Sequence, residues 1–183
     1  MSILSLNSYI DLFNKCRQEF DQLNNCSSHP EYDFILFNII MGMNHIYEWF
    51  LKEKIIEESR KLKCVREFNP FTSPYDVSGD FKQLYRKLSN FPKTNKNQEV
   101  IRKLCNKAKH FKKTEIETQG KNLTAVAGAA HMQCGEPNAV AGAFDHYTYS
   151  VDINGENVNL EILIKSHIEN WGNFLAHDCS EGT

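Results

Sequence analysis

Arg102, Asn106 and His110 stand four residues apart within "RKLCNKAKHFKK", Arg102 to Lys113, a stretch with six basic side chains in twelve positions. In a helix each step of four turns only about 40°, so the three share one slanted polar row roughly 12 Å long. Arg offers a permanently charged fork for phosphate, His exchanges a proton near neutral pH, and Asn orients a substrate oxygen or the imidazole. That set suits phosphodiester cleavage in RNA. One group activates the 2′-hydroxyl, another protonates the leaving oxygen, and a cation stabilises the charge on the phosphorane. Lys103, Lys107, Lys109 and Lys113 surround the row and would add affinity for the nucleic-acid backbone. The plain alternative is a solvated face of a charged helix.

The charge is concentrated. Eleven Lys or Arg lie between Phe81 and Lys113 against one acid, Glu99, a local balance of 11 − 1 = +10. The remainder holds 10 basic and 22 acidic residues, or −12, which together give the overall −2. Screening confines each charge to about 8 Å, so a polyanion meets the local surface and not the average.

A second polar set lies upstream. Asn38, Gly42 and His45 fall within about 60° on an otherwise apolar helix, with Glu48 at the sector's edge. Either they form a satisfied network in the core, or the row faces Asn106 and His110 and lets His45 or Glu48 tune the His110 imidazole.

The elements that must position these residues are mostly helices. Tyr9, Phe13, Cys16, Phe20 and Leu23 make one apolar stripe, which predicts a helix from Ser8 to Leu23 opened by Ser8-x-x-Asp11. Ser28-His-Pro-Glu31 opens a central helix that runs through Trp49 and on toward Lys61. Residues Cys64 to Gly79, with Pro70 and Pro74, read as a connection. A short helix over Asp80 to Leu88 and a basic helix capped by Asn95 or Asn97 follow. On the latter Val100, Ile101, Leu104, Ala108 and Phe111 form the packing face.

Residues 114–146 read as an irregular Ala/Gly-rich insertion, in which "TAVAGAA" is echoed by "NAVAGAF". Asn154-Gly155 between alternating segments predicts a β-hairpin over 147–160. A last helix carries Ile164, Ile168, Trp171 and Leu175 on one face, and 177–183 reads as a flexible tail. The expected fold is therefore mainly α: a single up-and-down bundle of about four to six helices over 1–183 with one small hairpin.

Composition narrows the setting. With 41% hydrophobic and 24% charged residues the chain is that of a globular protein. MSILSLNSYIDLF lacks both the basic start and the apolar run of a signal peptide, and the apolar stretch from Phe34 to Leu51 is broken by Asn38, Asn44, His45 and Glu48. A cytoplasmic protein with no membrane partner is expected. The six cysteines form no Cys-x-x-Cys pair and are expected to be reduced. His131, Cys134, His177 and Cys179 are metal ligands by type but irregular in spacing, so no metal and no cofactor is expected. Phosphate-binding Gly-rich loops and nucleophile elbows are absent.

An apolar, His-bearing helix such as "FNIIMGMNHIYEWFLKE", followed by a helix bearing Asn-x-x-x-His, resembles the HEPN superfamily (higher eukaryote and prokaryote nucleotide-binding domains). The resemblance spans Tyr32 to Lys113 and implies an all-α bundle that forms a homodimer. It also implies a metal-independent endoribonuclease of a toxin-antitoxin or antiphage defence system, whose Arg-Asn-x-x-x-His motif lies at a dimer-interface cleft. "CNKAKH" aligns Asn106 and His110 with that Asn and His and leaves Cys105 where the family has Arg. Cys105 supplies no guanidinium. Arg102, one turn earlier and about 60° away, has the reach to replace it. Two expectations follow. One is an RNA-binding protein, or one for another phosphate-bearing ligand, with ribonuclease activity. The other is a catalytically degenerate bundle acting as a protein-interaction or nucleotide-sensing module.

Overall fold

The computed structural model describes residues 6–26, 29–110, 118–123, 146–153 and 155–176. The chain is mainly helical. Helix α1 spans Tyr9–Leu23, α2 His29–Lys52, α3 Glu58–Phe68, α4 Lys82–Arg86, α5 Lys96–His110 and α6 Leu160–Ala176. Three strands, β1 Thr118–Leu123, β2 His146–Ile153 and β3 Glu156–Asn159, precede α6.

Local sequence explains the helix ends. Ser8 Oγ accepts from Asp11 N at 3.1 Å while the Asp11 carboxylate accepts from Ser8 N at 3.0 Å, a reciprocal cap with Asp in place of Glu. The Ser8 hydroxyl and the Asn7 amide hold the Asp11 carboxyl below its ordinary range. The α5 cap is Asn95, whose Oδ1 accepts from Gln98 N at 3.0 Å, as one of the two sequence alternatives requires. Ser28, expected to cap α2, lies outside the described residues.

Two sequence expectations need correction here. The central helix does not continue toward Lys61; it stops at Lys52, and Ile55 stands 91% exposed in the break. The stretch after Cys64 does not begin as a connection either. Cys64, Val65 and Phe68 form the buried face of α3. Their spacing of one and three residues is helical, and Pro70 ends the helix two residues after its last turn. The reversal at 53–57 turns this face back onto the core, where Phe68 stacks on Trp171 of α6 with ring centroids 4.0 Å apart.

Helix α2 is the centre of the bundle, packed on α1, α3 and α5. Gly42 belongs to its α1 side. A Cβ there would collide with Cys16 Sγ, so glycine permits the close approach of the two helices. We expect Gly42→Ala to destabilise the fold by about 1–3 kcal/mol. The collision is with Sγ alone, so adding Cys16→Ala should recover part of that loss. Urea unfolding of the single and double variants measures the coupling.

The hairpin appears as expected. β2 pairs antiparallel with β3, Val151 opposite Val158, and Gly155 turns the chain with φ of 85°. β1 extends it into a three-stranded sheet of order β1-β2-β3, with Thr118 opposite Val151 and Leu123 opposite His146. This corrects the reading of 114–146 as irregular throughout. Thr-Gln-Gly-Lys-Asn-Leu has no apolar alternation, and its strand state comes from pairing with β2 rather than from propensity. The rest of that segment and the tail lie outside the described residues.

The sheet is tied to α2 by Tyr149 Oη, which donates to Asp33 Oδ1 at 2.7 Å, and α2 is tied to the start of α6 by Tyr32 Oη, which donates to Glu161. Among the described residues no helix is long and apolar enough to cross a membrane.

Candidate functional site

Between α2 and α5 lies a cleft of about 170 Å³. Asn44, Tyr47 and Glu48 of α2 form one wall, Gln98, Arg102 and Asn106 of α5 the other, and Pro70, Phe71 and Phe81 contribute an apolar side. Arg102 and Asn106 thus come together as their spacing requires, one turn apart on the same wall. The Arg102 guanidinium lies over the Phe71 ring, 4.7 Å from its centroid, which fixes the long side chain without neutralising it.

Phe71 is itself fixed from beneath. Asn69, fully buried, donates from Nδ2 to Phe71 O at 2.9 Å and Pro92 O at 2.8 Å. Its Oδ1 accepts from Phe71 N at 3.1 Å and Tyr85 Oη at 2.7 Å. The Tyr85 hydroxyl is also 2.7 Å from that of Tyr47, a cleft residue. Burial raises both phenols well above their usual range, so they remain neutral hydrogen-bonding groups.

The upstream polar row divides. Glu48 lines the cleft with Asn106, and His45, which is not in the lining, has Nδ1 3.5 Å from Glu48 Oε2. Asn38 is exposed and Gly42 faces α1, so neither reaches the cleft. The divergence is angular. A 60° sector on α2 is wide enough for its two sides to meet different helices.

The basic helix divides similarly. Cys105 is fully buried, with Sγ 3.4 Å from Met41 Sδ, so the position aligned with the motif Arg points into the core. The guanidinium on the cleft belongs to Arg102. Lys103 pairs with Glu99 at 2.8 Å, and Lys107 is half-buried. The side chains of Lys109 and His110 and all of Lys113 lie outside the described residues. Pairing also reduces the +10 segment elsewhere, since Lys87 bridges to Glu58. Lys82, Arg86, Lys93 and Lys96 have no ion pair with a described residue.

Sequence reasoning missed one buried assembly behind the cleft. Gln98 Oε1 lies 2.7 Å from His167 Nε2, and Trp171 Nε1 lies 3.2 Å from the same nitrogen. A neutral imidazole nitrogen either donates or accepts, so the tautomer decides whether Nε2 bonds Gln98 Oε1 or the indole N–H, and Nδ1 has no hydrogen-bond partner among the described residues. Burial pushes the His167 pKa down to about 3, so the imidazole is neutral and holds Gln98 in place instead of exchanging protons. The signal was there: Gln98 shares the phase of Ile101 and Cys105, and His167 that of Ile164 and Trp171, polar residues inside apolar stripes.

Chemically the cleft offers a fixed guanidinium, an amide that donates and accepts, and a carboxylate beside an imidazole. Among the described residues no cluster of three or more His, Cys, Asp or Glu is placed to hold a metal ion. His131, Cys134, His177 and Cys179 lie outside them. No family model, curated protein or solved structure matches the chain.

Proposed function

We propose that this chain is a HEPN-like RNA-binding protein that grips the phosphate backbone at the α2–α5 cleft and acts in the cytoplasm as a homodimer. Arg102 holds a phosphate oxygen pair, Asn106 orients the sugar or the scissile phosphate, and His110 at the end of the same row performs acid-base work for metal-independent cleavage. Glu48 and His45 adjust the charge of the site. The observation that carries this reading is the meeting of Arg102 and Asn106 on one cleft wall within the +10 segment. A defence or toxin role follows from the family resemblance.

The test uses labelled single-stranded RNA without added metal. Arg102→Ala is expected to weaken binding about tenfold, the usual scale for a charge-assisted hydrogen bond, and His110→Ala to keep affinity while abolishing cleavage. Affinity should fall steeply with salt, because phosphate contacts release counterions. Equal affinity of parent and Arg102→Ala removes the binding claim, and equal cleavage by parent and His110→Ala removes the catalytic one.

A second reading rests on a different face. Phe34 and Phe37 of α2, three residues apart, are 69% and 46% exposed, an apolar surface suited to a protein partner. A degenerate bundle acting as an interaction module would bind through it with little dependence on salt.

A further inference from the structure

On the far side of Phe71 and Tyr85 from the α2–α5 cleft is a second, larger cleft of about 460 Å³, a size suited to a small organic ligand. Its lining combines the rings of Tyr75, Tyr85 and Phe91 with the cations Lys82 and Arg86. The two cations are four residues apart on α4 and therefore face the same way.

We infer that this second cleft takes one unpaired nucleotide of an RNA strand, its base stacked on Tyr75 and its phosphate held by Lys82 and Arg86. The inference rests on the RNA-binding reading above and extends it to a second contact along the strand. Three features support it.

Tyr75 is 93% exposed, yet it is held out on a stiff turn. Pro74 fixes the turn's first position, Ser73 Oγ accepts from Tyr75 N at 3.3 Å, and Thr72 Oγ1 donates to Asp76 Oδ2 at 3.1 Å. An aromatic side chain has only two torsions to fix, so on a stiff turn it loses little entropy when a flat partner covers it.

The cations are available. Neither Lys82 nor Arg86 has an ion pair with a described residue, whereas Lys87 beside them is bound to Glu58 and Lys52 to Asp80. The acid nearest in sequence to Tyr75, Asp76, is held by the Thr72 hydroxyl.

A run of packed rings also joins the cations of the two clefts. Arg102 lies on Phe71, Phe71 packs edge-on against Tyr85 at 5.8 Å, and Tyr85 meets Phe91 at 5.7 Å beside Arg86. An exposed aromatic face beside phosphate-binding cations, as Tyr75 stands beside Lys82 and Arg86, is the general means of holding single-stranded nucleic acid without reading its sequence. An acidic peptide would use the cations and leave the rings without a flat partner.

The experiment measures binding of a fluorescent oligouridine RNA to the full chain at low salt, with a matched oligomer lacking bases as the second probe. Tyr75→Ala is expected to lose roughly tenfold affinity for the oligouridine, while Tyr75→Phe, which keeps the ring, binds as the parent does. Arg86→Ala should weaken both probes. The baseless oligomer should bind the parent and Tyr75→Ala equally. Tyr75 is almost wholly in solvent, so its loss leaves the fold intact, and the melting temperature checks this. Unchanged oligouridine affinity in Tyr75→Ala, with binding still lost in Arg102→Ala, overturns the stacking site and leaves the first cleft standing. No RNA binding by the parent overturns both.

Discussion

Replacing Asn69 with Ala is expected to remove about 3–5 kcal/mol of stability, the sum of several buried hydrogen bonds at about 1 kcal/mol each plus the cost of groups left unpaired. The side chain is fully buried and serves Phe71 N, Phe71 O, Pro92 O and the Tyr85 hydroxyl together. Without it, the Phe71 N–H and the Pro92 carbonyl lose their partners and the Tyr85 hydroxyl loses its acceptor, while Phe71 O keeps the Thr94 hydroxyl at 2.8 Å. Asn69→Asp should be worse than Ala, because a carboxylate would face the Phe71 and Pro92 carbonyls that now accept from Nδ2. Against a typical total of 5–15 kcal/mol, either change takes a large share.

The consequence reaches the cleft. Asn69 also accepts from Asn95 N through its own carbonyl at 2.8 Å, so it couples the α5 cap to the loop beneath Arg102. Urea unfolding measures the loss. A change below about 1 kcal/mol in Asn69→Ala would show that water replaces the side chain and that the network does not hold the loop.

The second large effect is acid destabilisation through His167. Its folded pKa is about 3 against an ordinary 6.5, with burial as the cause. Above pH 6.5 both states are neutral and the group contributes no pH dependence. Below it the unfolded chain binds a proton that the folded chain refuses, so stability falls with pH between 6.5 and about 3. The slope approaches 1.4 kcal/mol per pH unit, which integrates to about 2 kcal/mol from pH 6.5 to 4.5.

His167→Gln keeps a polar partner for Trp171 and does not titrate, so its stability should be flatter across that interval. The lowered carboxyl of Asp11 acts in the same direction. Its contribution is complete above its ordinary value of 3.8 and is lost below it, so the window from 6.5 to 4.5 belongs to histidine. Denaturant midpoints followed by tryptophan fluorescence, from Trp49 and Trp171 together, at several pH values decide the matter. Parallel pH profiles in parent and variant would mean that His167 takes up its proton in the folded state.

The sequence was sufficient where a pattern refers to its own element. The stripe of α1, the cap and packing face of α5, the Asn-Gly turn of the hairpin and the face of α6 follow from periods of 3.6 and 2 and from side chains that bond their own backbone. For the same reason the shared wall of Arg102 and Asn106 was legible, since two residues one turn apart must face one way.

What the tertiary structure decided are the relations between elements. The break at 53–57 and helix α3 depend on folding Cys64, Val65 and Phe68 back onto Trp171, a contact more than a hundred residues away in sequence. β1 is a strand because β2 lies beside it. Which side of α2 meets α1 and which meets α5 separates Gly42 from Glu48, and the same geometry buries Cys105 while leaving Arg102 on the cleft. A helix records its own phase in the order of its residues, but the partner that each face meets is settled only when the faces compete to leave water together.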